Sequence, residues 1–183
     1  TTEIGNATTC VDTQWIGAGL NSNWYNPDNW LNGNIPDGNN VVNIPNNYDD
    51  GLGGGPQPIT NWPILEADAG AGDLTMESGA SITLAGKELA LNGSLNITTG
   101  AQIDASATGS RLWMSHSVAQ TIPADLLSTN VANFYVENVG GVTVNSVMNI
   151  TEELDIKGGT LNTNGNVTMK CFFDNQPNSG DKR

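Results

Sequence analysis

Three carboxylates, Glu66, Asp68 and Asp73, fall close together with mostly small residues between them. A hard cation such as Ca2+ takes about six to eight oxygen ligands, so this stretch is the candidate Ca2+ site. The spacing lacks the full D-x-[DN]-x-[DN]-G loop pattern, and a solvated acidic edge is the simpler reading. Upstream, Trp15, Trp24 and Trp30 crowd into a segment otherwise rich in Asn, Gly and Asp. Aromatic faces can stack on pyranose rings, which makes these three the candidate glycan contacts. Rings this large also seek burial, and several close in sequence more often cover one another.

Other chemistry finds less support. A polysaccharide lyase needs a cation and a base to take a proton; Lys87, Arg111, Lys157 and Lys170 are available but are spread widely along the chain. A glycoside hydrolase needs two facing carboxylates about 5–9.5 Å apart. Asp104, Glu152, Glu153 and Asp155 qualify only by residue type, and solvated faces explain them better. The single histidine, His116, sits between Ser115 and Ser117, whereas the members of a hydrolytic triad converge from distant positions. No His/Cys cluster suggests zinc. Thr98-Thr99 and residues 160–163 do not align into the Thr rows that an ice-binding face would need. Asn-x-Ser/Thr sequences begin at Asn6, Asn92, Asn96, Asn149 and Asn166 and read as turn and outward strand residues. The expectation is a non-enzymatic protein that needs no cofactor beyond a possible Ca2+.

The elements that would position these residues are legible in residues 73–170, where one short unit recurs. Two apolar residues flank one that is usually polar or small: Leu74-Thr75-Met76, Ile82-Thr83-Leu84, Leu89-Ala90-Leu91, Leu95-Asn96-Ile97, Leu112-Trp113-Met114, Phe134-Tyr135-Val136, Val142-Thr143-Val144, Met148-Asn149-Ile150, Leu154-Asp155-Ile156 and Val167-Thr168-Met169. A period of two places both apolar side chains on one face of a strand. Equivalent units return after about 19–21 residues, a solenoid repeat length. The pattern predicts a right-handed parallel β-helix with three short strands per coil, each pairing about 4.8 Å above and below its counterpart. Ser78-Gly79-Ala80-Ser81-Ile82 and Thr99-Gly100-Ala101-Gln102-Ile103 look like one corner repeated, with glycine supplying a positive φ. An antiparallel sandwich with the same turns is the alternative.

With 183 residues the chain can form one domain with a full core. The expected divisions are a Trp-rich capping segment at 1–45, a loop and first coil at 46–72, the solenoid at 73–170 with an inserted loop at 111–133, and a C-terminal tail at 171–183 that is polar from Asn175 onward. Asp and Glu outnumber Lys and Arg 19 to 6, giving a formal charge of -13, which argues against nucleic acid as a partner. No run of about 18 apolar residues is present to span a membrane. The N-terminus lacks the regions of a signal peptide and is read as a mature end or an excised piece. Cys10 and Cys171 would lie at opposite ends of the stack, too far apart for a disulfide unless a terminal segment folds back.

Several of these residues also resemble a known family. Trp15-Ile16-Gly17, Asn23-Trp24, Asn29-Trp30 and Ile35-Pro36 are similar to the W-x-G...W...NW...P opening of secreted cell-surface proteins of the Bacteroidetes. Gln120-Thr121-Ile122, residues 133–138, Gly141-Val142-Thr143-Val144, Leu154-Asp155-Ile156, Gly159-Thr160-Leu161 and Asn164-Gly165-Asn166 resemble the later motifs of the same proteins, in the same order. The resemblance spans most of residues 15–169. It implies an extracellular β-solenoid module of a large adhesin-like protein, exported by type IX secretion machinery and in some members tied to gliding motility. It carries no catalytic motif, and the family's C-terminal sorting domain is not seen. A glycan or cell-surface ligand is the partner expected on this reading. The competing reading is a carbohydrate-binding or polysaccharide-degrading β-helix.

Overall fold

A computed structural model describes residues 12–49, 53 and 55–170. Cys10, Cys171 and the C-terminal tail lie outside the described residues. The chain is an all-β parallel solenoid of about five coils. It starts with β1 (Asp12–Gln14) and, after two single-turn 3-10 helices, β2 (Val41–Ile44). β3 (Asn47–Tyr48) and β4 (Gln57–Pro58) form a separate two-stranded antiparallel sheet, with Tyr48 packed against the core. β5 (Ala69–Ala71) completes the coil begun by β2; β6 (Leu74–Met76), β7 (Ser81–Thr83) and β8 (Glu88–Leu91) form the next. They are followed by β9 (Leu95–Ile97), β10 (Gln102–Asp104) and β11 (Arg111–Met114), then β12 (Gln120–Ile122). Two long strands, β13 (Asn130–Val144) and β14 (Met148–Asn162), bend around the corners, and β15 (Val167–Met169) ends the described ladder.

Three faces result. The first carries β1, β2, β6 and β9 and, further on, β12 with the ends of β13 and β14. A second holds β7 and β10, single bridges at Ile64 and Leu127, and the start of β14 against β15. The third stacks β5, β8, β11, β13 and β14. Register on the third face is direct: Ala69, Leu89, Leu112, Phe134 and Leu154 form one inward column, and Ala71, Leu91, Met114, Val136 and Ile156 the next. Fully buried members of these columns each contribute about 1.5–3 kcal/mol for a Leu- or Phe-sized side chain, and the apolar-x-apolar spacing creates them.

The repeated corner is as expected. Gly79 and Gly100 have φ of +83° and +94°, the Gly79 N–H donates to the Gly100 carbonyl at 3.1 Å, and Ala80 and Ala101 are buried behind them.

Two boundaries differ from the sequence reading. The Trp-rich segment is no separate cap, because β1 and β2 pair in register with each other and β2 with β6. Nor is 111–133 an inserted loop: β11 pairs with both β8 and β13, and β12 pairs with β13. The rhythm lengthens there for another reason. Sheet pairing on the first face stops at β9 and resumes with β12, and the Gln120 side chain bridges the seam. Its Nε2 donates to the carbonyls of Leu91 and Gly93 at 3.1 and 2.6 Å, and its Oε1 accepts from Asn138 Nδ2 at 2.8 Å. Beside the seam Leu95 and Ile97 are only partly buried.

Candidate functional site

The tryptophans proposed as glycan contacts are buried: Trp15, Trp24 and Trp30 expose 0%, 0% and 1% of their surface. Trp30 meets Trp15 edge-on at 5.1 Å between ring centroids and Trp24 at 4.9 Å. Their faces are covered by each other and the core, so no sugar ring can stack on them as they stand. The Trp15 indole donates to the Asn61 carbonyl at 2.7 Å and the Trp30 indole to the Trp24 carbonyl at 2.5 Å. Asn29 holds the loop that places them. Fully buried, it donates through Nδ2 to the Asn21 and Asn23 carbonyls at 2.9 and 3.0 Å and accepts the Gly19 N–H at 2.8 Å. The Asn-Trp pair in the sequence is therefore a structural unit, since a buried amide must satisfy both its donor and acceptor groups.

The three carboxylates do not converge. Glu66 accepts from Asn23 Nδ2 at 2.7 Å, Asp68 from the Glu88 N–H at 2.9 Å, and Asp73 from the Ser94 N–H at 2.6 Å. Among the described residues no three Asp, Glu, His or Cys side chains gather as a metal site would require. The Tyr25 hydroxyl donates to the Asp68 carbonyl; burial, and then the Asp68 charge, push its pKa above the usual phenol range.

On the outer side of the third face, register brings together residues that sequence spacing had scattered. The Arg111 guanidinium lies over the Tyr135 ring at 4.4 Å and the Lys157 ammonium at 5.3 Å, so cations from two coils accompany one aromatic. Arg111 also pairs with Glu88 at 2.7 Å and Lys157 with Asp155 at 3.4 Å. Tyr135 donates to Glu153 at 2.5 Å, a bond that, with burial, raises its pKa. Glu152 accepts from Asn133 Nδ2 at 2.8 Å and from the Gly109 N–H. Asp104 is held below the usual carboxylate range by hydrogen bonds from Ser106, partly opposed by burial. The carboxylates proposed by residue type thus each have a structural partner.

A further cluster was not singled out from sequence. At the corner between the third and first faces, Gly38 and Asn39, Gly72 and Asp73, Asn92 and Gly93, and His116 come from four successive turns of chain and line a cavity of about 200 Å3. A Cβ on Gly72 would lie 2.7 Å from the Asn39 carbonyl oxygen, and one on Gly93 2.5 Å from Asp73 Oδ1. Bare backbone therefore forms much of the wall. Only the coil register could reveal this, because the residues are spread over about 80 positions of sequence.

Together these features define a parallel β-solenoid whose buried core includes a cluster of three tryptophans. Comparison with family models, curated proteins and solved structures finds no match to the chain. No helix among the described residues is long and apolar enough to cross a membrane.

Proposed function

We propose that the chain is a non-enzymatic, extracellular structural and adhesive module of a larger cell-surface protein. The observation that carries this reading is the continuous in-register stack on the third face, from β5 through β14, around one apolar column. Each coil contacts mainly its neighbours, so the stack works as a stiff spacer that presents its corners and outer faces to the surroundings. The acidic balance of 19 to 6 suits a hydrated surface. Engagement of Glu152, Glu153 and Asp155 in structural bonds favours a scaffold over a hydrolytic pair. The ordered Trp and Asn-Trp motifs support type IX export and a link to surface attachment or gliding.

The test is made on intact source cells. Antibody raised against the folded chain should label unpermeabilised cells, and deletion of the module should lower attachment to a surface while leaving growth unchanged. Labelling only after permeabilisation would overturn the proposal.

A further inference from the structure

We infer that the corner cavity between the third and first faces is a binding site for one uncharged sugar residue of a glycan, with Trp113 as the adjoining stacking surface. The inference supplies a ligand class for the adhesive part of the function proposed above and rests on that part alone.

Unused hydrogen-bonding capacity is the first argument. Elsewhere on the solenoid, polar side chains at corners pair between coils: Asn164 with Asn145 at 2.8 Å and Asn138 with Gln120 at 2.8 Å. In the cavity the bonds between coils go to backbone instead, and no side chain pairs with another among the described residues. Among the described residues, Asp73 uses Oδ1 for the Ser94 N–H and has no donor to Oδ2. Asn92 spends its Nδ2 on the Gly38 carbonyl at 2.9 Å and, among the same residues, has no donor to its Oδ1. The side chains of Asn39 and His116 have no hydrogen-bond partner among the described residues. Acceptors and donors therefore face one small space, matching vicinal hydroxyls, which both donate and accept.

Size and charge narrow the class. A volume of about 200 Å3 lies below the roughly 300–1,000 Å3 of drug-sized sites, leaving room for one small polar ring. Asp73 is the only Asp, Glu, Lys or Arg in the lining, on a chain of formal charge -13, which disfavours an anionic sugar. One carboxylate is too few for a Ca2+ site of ordinary strength.

Rigidity and an adjacent aromatic complete the case. The glycine walls hold the corner shut around its backbone: a Cβ on Gly70 would come within 2.9 Å of Gly38 Cα, and the Gly93 carbonyl is tied to Gln120. Such a site loses little freedom on binding. Ala90, on β8, lies two residues before Asn92, which stands at the corner just past the end of the strand. Trp113 stands in register with Ala90 on the next coil and is only partly buried, with its indole N–H covered and unpaired. A glycan leaving the cavity along β8 would therefore meet the Trp113 ring.

The experiment uses the full chain on an array of neutral and uronic or sialic oligosaccharides, followed by titration of the neutral hits into the parent, His116→Ala, Asn92→Ala and Trp113→Ala. Binding of neutral glycans is expected, weakened about tenfold by His116→Ala or Asn92→Ala. Trp113→Ala should weaken oligosaccharides while sparing the monosaccharide. Thermal melts of each variant separate binding loss from unfolding, and Asn39→Ala stands in for any variant that melts early. Absence of neutral hits, hits that need Ca2+, or binding indifferent to all of these substitutions would overturn the inference. Surface labelling of cells would survive that failure, which keeps the two proposals distinguishable.

Discussion

At the scale of single residues, the structure converts apparent function into architecture and the reverse. Trp15, Trp24 and Trp30 offered sugar-stacking faces in the sequence but bury each other, while His116, set aside as an isolated histidine, lines a cavity with Asp73. Burial of the tryptophans was foreseeable from their number and closeness. The cavity was not, because which corners superimpose depends on coil lengths that vary along the chain. Asn29 is the residue whose importance is most local. Replacing it with Ala removes a bond from the part-buried Gly19 N–H and from the Asn21 and Asn23 carbonyls, although those carbonyls still accept from Asn61 Nδ2 and the Asn26 N–H. A cost of about 1–3 kcal/mol in all is expected, so chemical denaturation of Asn29→Ala should show a clear loss of stability. A midpoint equal to that of the parent would mean that water replaces the amide without penalty.

For the strands, alternation was readable and pairing was only partly so. The apolar-x-apolar units predicted inward pairs such as Leu112 with Met114 and Phe134 with Val136, and these are buried. What alternation cannot report is a seam. Between β9 and β12 the backbone ladder lapses and the Gln120 side chain takes over, so a lengthened interval resembles an insertion. The side-chain bridge also ties the seam to the corner cavity through Gly93. Central and outward positions should respond very differently to truncation. Phe134→Ala removes a fully buried ring from the inward column and should destabilise by about 3–5 kcal/mol. Thr121→Ala, exposed on β12, should change stability by less than about 0.5 kcal/mol. Equal losses in denaturant melts would show that the inward and outward assignments are wrong.

The whole molecule depends on coils that wind the same way and lie over one another. Repeat length and the recurring Gly-Ala corner made that arrangement visible before any coordinates, since a three-strand period has few other uses. Less visible was where the stack begins, because β1 and β2 are embedded among tryptophans and loops whose composition masks the alternation. Thr75 of β6 and Asn96 of β9 are direct partners on the first face, about 4.8 Å apart as parallel neighbours and within the usual disulfide range of roughly 4.4–6.8 Å. The most direct measurement is cross-linking of Thr75→Cys with Asn96→Cys, in a chain whose Cys10 and Cys171 are replaced by Ser. Mild oxidation should close an intramolecular disulfide in this pair, detected by mass spectrometry, and should fail to close Thr75→Cys with Thr98→Cys. Closure of the offset pair with the direct pair left reduced would contradict the stacked-coil architecture and the scaffold function built on it.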